Sequence, residues 1–190
     1  MLDPETANES QTLLLRRIAA QDRPALTEFY DQTAGVLFGT AVRILGDTHE
    51  AEEVVQDVFV QIWNKAGTFD GTLGAPFHWA LGITRNRSID RVRARQRRTR
   101  ILESVTEETA NNPAASPSPT DFTLNEEELV NVRSAVKSLP QDQRQAIEMA
   151  FFGGLTHQEI AETLNEPLGT VKARIRRGML KLRDSLEPYV

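Results

Sequence analysis

Apolar side chains recur at helical intervals along most of the chain. The clearest case lies between Thr48 and Lys65, where a stripe of apolar positions is spaced by three or four residues. No stretch shows a convincing run of alternating β-branched residues of the kind that forms strands. The pattern therefore predicts an all-α fold. The stripe consists of Ala51, Val54, Val55, Val58, Phe59 and Ile62.

Residues that begin or end helices divide the N-terminal part into four predicted helices. The first carries the apolar positions 13–15 and Ile18. The later boundaries are Pro24 (start of the second helix), Gly46 (its end), Asp47 with Glu50 (a pair resembling a capping box, at the start of the third), Gly67 (its end) and Pro76 (start of the fourth).

A proline-rich segment, 108–120, separates two helical parts. It has three prolines, small polar residues and no large apolar side chain, so burial cannot offset the entropy that ordering would cost. We therefore expect a flexible linker. The predicted organisation is a first domain over 10–102, an acidic linker over 103–123 and a second domain over 124–188.

The C-terminal part has the pattern of a helix-turn-helix. Two helices are predicted first, over 124–138 and from Pro140 to Phe152. The motif itself begins with a short helix that Thr156 and Glu159 can cap, breaks at 165–167 and continues as a longer helix from about Leu168. The apolar residues expected to face inward from this last helix are Val171, Ile175 and Leu182.

The outward face of the last helix is predicted to be basic. In a major groove, arginine pairs with guanine edges and lysine neutralises phosphates, so such a helix suits duplex DNA. The alternative is a solvated basic helix in an ordinary bundle. The expected outward residues are Lys172, Arg174, Arg176 and Arg177.

Charge is segregated along the sequence, although the net value of −5 alone argues against a nucleic-acid binder. Eight arginines stand against one acid between Arg85 and Arg100. Seven acids stand against two basic residues between Ile101 and Ser138. The basic run lies on the predicted fourth helix, where it can follow a phosphate backbone.

The fourth helix and the loop before it also hold groups that suit an unstacked base. Phe69 lies in the loop, and Trp79 and Asn86 lie on the helix. An aromatic ring and an amide can hold a base that has left its stack. The alternative is that Trp79 packs in the core together with Ile83, four residues further on, and that Phe69 does the same.

The polar face of the segment 48–65 carries Glu52, Glu53, Gln56, Asp57 and Gln61. By default such a face is solvated. A protein-binding face is the alternative.

Composition argues against catalysis. The chain has no cysteine, so it can form no disulfide and no thiolate metal site, and an intracellular, cytoplasmic location is expected. Its three histidines are far apart in sequence, and no glycine-rich phosphate loop is present. The N-terminus lacks the basic start and apolar run of a leader, and no segment is long and apolar enough to span a membrane. We expect no enzymatic activity, no cofactor and no metal.

Together these segments resemble the extracytoplasmic-function (ECF) sigma factors of bacteria, from about Leu13 to Leu186. The stretch from Glu50 to Trp63 resembles the polymerase-binding helix of region two. By that resemblance Glu53, Gln56 and Asp57 would dock on the clamp helices of the largest polymerase subunit. The flap of the second-largest subunit is a further implied contact.

The resemblance extends to both DNA-reading parts. The stretch from Phe69 to Arg91 resembles the part that melts and reads the minus-10 element, and the stretch from Leu139 to Arg177 resembles region four, which reads the minus-35 element. The implied minus-10 residues are Phe69, Trp79, Arg85, Asn86, Arg87 and Arg91. The implied minus-35 residues are Thr170, Lys172, Arg174, Arg176 and Arg177.

The resulting hypothesis is a non-enzymatic initiation factor that binds core RNA polymerase and both duplex and single-stranded promoter DNA. The resemblance also implies an anti-sigma factor as a partner, often membrane-anchored, and an acidic linker that threads toward the RNA exit path. Two alternatives remain at this stage. A stand-alone helix-turn-helix regulator would explain only the C-terminal part, and a nuclease would need clustered carboxylates for metal ions.

Overall fold

The computed structural model describes residues 4–103 and 134–186 of the chain. These residues form helices and turns without a strand, which confirms the all-α prediction. They belong to two compact units, one within Met1–Thr123 and one within Leu124–Val190. None of the described helices combines the length and the apolar character needed to cross a membrane.

Over residues 4–103 the N-terminal unit consists of four α-helices and two short 3₁₀ turns. The turns, Ala66–Thr68 and Gly71–Leu73, lie in the loop between the third and fourth helices. The α-helices are α1 (Pro4–Ala19), α2 (Arg23–Leu45), α3 (Thr48–Lys65) and α4 (Pro76–Glu103).

The predicted boundary residues act at most of these helix ends. Helix α2 begins at Arg23, with the predicted Pro24 in its first turn, and Gly46 ends it with a φ of 69°, a left-handed conformation that favours glycine. Asp22, whose carboxylate caps this helix, was not among the residues picked from the sequence. At α3, Asp47 Oδ1 accepts a hydrogen bond of 2.8 Å from the Glu50 amide. The prediction for Gly67 was wrong by two residues, because α3 ends at Lys65 and Gly67 lies inside a 3₁₀ turn.

A single apolar core holds the N-terminal unit together. The side chains of Ile18, Phe29, Leu37, Val58 and Ile62 are fully buried there. Helix α2 packs against α1, α3 and α4, and α3 also contacts α4. The apolar stripe that predicted α3 therefore faces this core, and the polar side chains of α3 lie beside those of α4.

The C-terminal unit contains a helix-turn-helix. Residues 134–138 are helical, followed by α5 (Gln141–Phe151), α6 (His157–Leu164) and α7 (Leu168–Leu186). Asn165 ends α6 with a φ of 52°, at the predicted break. The proposed linker, apart from Glu103, and the first part of the helix predicted over 124–138 lie outside the described residues.

The core of this unit is small. Ile160, Ala161 and Val171 form a buried cluster, around which partly buried side chains of α5, α6 and α7 pack. Ala135, Leu139 and Ala146 are also buried in the described part of this unit. Helices α5 and α7 also approach closely at Gly178, where an added Cβ would lie 2.6 Å from Ile147 Cδ1. Glycine at this position therefore permits the contact between the two helices.

A reciprocal capping box begins α6, as the sequence predicted. The Glu159 amide donates to Thr156 Oγ1 over 3.2 Å, and the Thr156 amide donates to Glu159 Oε2 over 2.7 Å. Replacing Thr156 by alanine is expected to lower the free energy of unfolding of this unit by about 1 kcal/mol, because one amide loses its acceptor. Denaturant titration of the full chain measures the change. Thr156→Ser is the matched control, and equal losses in both variants would contradict the capping role.

Candidate nucleic-acid and polymerase interfaces

Two of the three predicted polymerase-binding residues form ion pairs with α4. Glu53 Oε2 lies 2.5 Å from Arg91 Nη2, and Asp57 Oδ2 lies 3.4 Å from Arg87 Nη1. These four side chains are each between a third and two thirds exposed. Glu53 and Asp57 therefore remain accessible while α4 holds one side of each carboxylate.

Further contacts extend this pairing along both helices. Arg87 Nε donates a hydrogen bond of 2.8 Å to Gln61 Oε1, and Arg91 Nη1 donates one of 3.2 Å to the Glu50 carbonyl oxygen. Arg95 Nη1 lies 3.8 Å from Glu50 Oε2. We call this set the α3–α4 ladder: Glu50, Glu53, Asp57 and Gln61 on α3, with Arg87, Arg91 and Arg95 on α4.

The sequence assigned Arg87 and Arg91 to minus-10 DNA, and the structure places both side chains in the α3–α4 ladder. Both guanidinium groups are directed toward α3. The sequence could not show this, because the paired residues are 26 to 41 positions apart. Whether either arginine contacts DNA stays a prediction.

Gln56 and Val60 form the open part of the α3 surface. Gln56 is exposed, and Val60, one helical turn later, has 61% of its surface exposed. Single exposed apolar side chains are common on protein surfaces, so Val60 shows that this face is open to a partner without identifying one. Val60 was not among the residues picked from the sequence, although its position four residues after Gln56 could have identified it.

Phe69, in the loop before α4, contacts Trp79 on that helix, and the same loop exposes an apolar side chain. The Phe69 and Trp79 ring centroids are 5.6 Å apart, and both side chains pack partly against the core. The core-packing alternative is thus correct in part, but neither ring is fully buried. Leu73, at the end of the second 3₁₀ turn, has 87% of its surface exposed.

The Asp70 side chain fixes the conformation of this loop. Its Oδ1 atom accepts hydrogen bonds from the Thr72 hydroxyl (2.7 Å) and the Thr72 amide (2.9 Å). These bonds lower the pKa of the Asp70 carboxyl below its ordinary value, because they stabilise its ionised form. The loop is thereby held in one turn geometry beside Phe69.

Asn86 lies on the exposed surface of α4, two helical turns after Trp79. Its Oδ1 atom accepts a hydrogen bond of 3.2 Å from Arg85 Nη1. Burial and, to a smaller extent, the charge of Arg93 lower the pKa of the Arg85 guanidinium, which stays protonated at neutral pH. An oriented amide, a nearby cation and an aromatic ring are therefore available on one side of α4.

The helix α7 presents most of the predicted minus-35 residues to solvent. Lys172, Arg176 and Arg177 are exposed, and Thr170 is half-buried in the first turn of the helix. Arg177 Nε donates a hydrogen bond of 3.3 Å to the Ala173 carbonyl oxygen. Three cations thus line the outer face of the second helix of the helix-turn-helix.

Arg174 is a correction to the sequence prediction, which placed it on the outward face. Its side chain is only 19% exposed and lies 3.0 Å from Asp142 Oδ2 and 2.5 Å from Glu166 Oε2. That Glu166 oxygen is buried and accepts no aligned hydrogen bond, so the ion pair with Arg174 compensates its charge. Arg174 therefore joins α7 to α5 and to the turn after α6.

Comparison with known protein families matches both units. The family model described as sigma-70 region 2 matches residues 29–98, and the one described as sigma-70 region 4 matches residues 129–182. The first match runs from α2 into α4. The second covers α5, α6 and most of α7.

Similar proteins align along nearly the full chain. The ECF RNA polymerase sigma factor SigK of Mycobacterium bovis (strain BCG / Pasteur 1173P2) is 35% identical over 187 residues, which cover 98% of this chain and 99% of that protein. The chain belongs to the ECF RNA polymerase sigma factors. SigK of Mycolicibacterium vanbaalenii is 34% identical to this sigma factor over 177 residues, 91% of this chain and 87% of that protein.

Two solved structures are also similar to this one. SigE of Rhodobacter sphaeroides, in complex with the anti-sigma ChrR, is 29% identical over 92% of this chain and 98% of that chain, with a TM-score of 0.48. CnrH, in complex with the cytosolic domain of CnrY, is 24% identical over 94% and 98%, with a TM-score of 0.40.

Proposed function

We propose that this ECF sigma factor binds core polymerase through the exposed surface of α3, with Glu53, Gln56 and Asp57 contacting the clamp helices of the largest subunit. The observation that carries the proposal is the surface itself. Two carboxylates, an amide and the exposed Val60 lie on successive turns of one helix. A polar rim around an apolar centre suits a protein partner.

In this proposal the minus-10 element is opened and read beside α4. Phe69 and Trp79 offer ring faces to an unstacked base, and Asn86 offers hydrogen bonds to its edge. Arg85 supplies a cation next to that amide. Arg87 and Arg91 are not included, because their guanidinium groups contact α3.

The minus-35 element is assigned to α7. Its exposed Lys172, Arg176 and Arg177 face away from the small core and are free of the ion pairs that hold Arg174. Thr170 lies at the start of the helix, where a hydroxyl can reach a phosphate. A flap of the second-largest subunit is the proposed polymerase contact of this unit.

Regulation by an anti-sigma factor also belongs to the proposal, because the family resemblance implies such a partner. The protein would act in the cytoplasm, where its polymerase acts, and without catalysing a reaction of its own. The predicted domain limits of 10–102 and 124–188 and the linker between them are part of the same proposal.

In vitro transcription tests the function directly. Core polymerase from a related bacterium is combined with the protein and a library of cognate-type promoters, with core polymerase alone as the control. We expect initiation only when the protein is present, with permanganate-reactive thymines at the minus-10 element of active promoters. Duplex binding without co-purification of core polymerase would instead indicate a stand-alone regulator and would overturn the proposal.

A further inference from the structure

The α3–α4 ladder connects the surface assigned to polymerase with arginines that the sequence had assigned to DNA. Arg91 makes two contacts across the helix pair, one to the Glu53 carboxylate and one to the Glu50 carbonyl oxygen. Arg87 also makes two, to Gln61 and Asp57. Each guanidinium thus uses its planar set of donors on two partners of α3.

We propose that Arg91, assisted by Arg87, is a positioning residue for polymerase binding: it holds Glu53 and Asp57 in the conformation that meets the clamp helices. This inference rests on the proposed polymerase-binding role of α3. In this inference Arg87 and Arg91 support the polymerase-binding surface of α3 instead of contacting promoter phosphates.

The physical reason is preorganisation. A free glutamate side chain populates several rotamers, and fixing it at an interface costs affinity. Because the ion pair with Arg91 already restricts the Glu53 side chain in the free protein, less side-chain entropy is lost when polymerase binds. The Glu53 side chain is 46% exposed while paired with Arg91. Its other oxygen, Oε1, lies 3.5 Å from Nε2 of His49, an exposed side chain on the same helix that polymerase binding can displace.

Stability alone does not account for the arrangement. Ion pairs exposed to this degree contribute little to folding, since solvent screens them and long side chains lose entropy on pairing. Arg91 makes a second hydrogen bond to a backbone carbonyl, which fixes the guanidinium relative to α3. The geometry thus determines the direction of the Glu53 carboxylate more than it determines the stability of the unit.

The first experiment measures the affinity of the full chain for core polymerase. Arg91→Gln is expected to weaken binding about three- to tenfold, the range expected when one or two side chains must be ordered on binding. Arg91→Lys is expected to restore part of the loss, because lysine keeps the charge but not the paired planar donors. Arg23→Gln is the control, since it removes the same charge from an exposed position on α2.

A double-substitution cycle separates positioning from a general effect on the fold. If Arg91 acts through Glu53, the combined Glu53→Gln and Arg91→Gln protein binds core polymerase no more weakly than Glu53→Gln alone. Additive losses in the cycle would overturn the inference. Thermal unfolding of each variant verifies that the N-terminal unit remains folded.

The salt dependence of promoter binding tests whether Arg91 contacts DNA instead. If Arg91 contacts a phosphate, Arg91→Gln lowers the slope of log affinity against log salt concentration by about 1 and leaves polymerase affinity unchanged. That result overturns the inference and supports the DNA role. A wild-type chain that fails to bind core polymerase overturns the proposed function as well, whereas wild-type binding with an unaffected Arg91→Gln overturns the inference alone.

Discussion

Replacing Ile160 by alanine is expected to unfold the C-terminal unit in a large fraction of molecules. Ile160 is fully buried between α6 and its neighbours, and truncating such a side chain costs about 2–5 kcal/mol through lost burial and the cavity left behind. A unit of this size is stabilised by only about 3–10 kcal/mol in total. We therefore expect loss of initiation from promoters that depend on a minus-35 element.

Hydrogen exchange of the full chain, resolved by mass spectrometry, measures this effect in the two units separately. Amides of α6 and α7 are expected to lose protection, whereas those of α2 to α4 keep it. Leu180→Ala is the matched control, because this leucine on α7 is exposed and its truncation removes the same number of carbon atoms without opening the core. Equal protection in the Ile160→Ala variant and the wild type would contradict the assigned core.

Local sequence signals predicted the helix boundaries well, because they act through neighbouring residues. The Thr156–Glu159 capping box spans only three residues, and both of its hydrogen bonds are present. Gly46 and Asn165 end their helices in left-handed conformations that few other residues adopt easily. In each case the chemistry that fixes the structure lies within one turn of the residue that reveals it.

Local signals could not predict the ion-pair partners of Arg174 and Arg91. Helical spacing placed Arg174 on the outward side of α7, but it carries no information on where α5 and the turn after α6 supply carboxylates. Asp142 is 32 positions before Arg174 in the sequence, and the pairing depends on how the three helices pack. The same holds for Arg91 and Glu53, which are 38 positions apart.

A basic run in a sequence therefore does not define a basic surface. Three arginines of α4 belong to the α3–α4 ladder, which neutralises part of their charge, whereas Arg85 lies beside Asn86. Phe69 and Trp79 also combine two roles, since they pack against the core and contact each other at the edge of the proposed DNA surface. The sequence reveals the charge and the rings, whereas packing determines which of them lie on the surface.

Arg174→Ala and Arg176→Ala, two positions apart on α7, are expected to affect different properties: the first lowers stability and the second lowers DNA affinity. Arg174→Ala leaves the buried Glu166 oxygen without its cation, so the free energy of unfolding of the C-terminal unit should fall by about 1–3 kcal/mol. Arg176→Ala removes an exposed cation, and its stability should stay within about 0.5 kcal/mol of wild type.

DNA binding by the two variants completes the comparison, because each serves as the control for the other. With Arg176→Ala, affinity for minus-35 duplexes is expected to fall and the salt slope to decrease by about 1, as for a lost phosphate contact. With Arg174→Ala, affinity should recover at temperatures where the unit remains folded, with an unchanged salt slope. Denaturant titration and fluorescence anisotropy measure the two properties. A reduced salt slope with unchanged stability for Arg174→Ala would return this arginine to the DNA-binding surface, because its ion pairs would then contribute nothing to the fold.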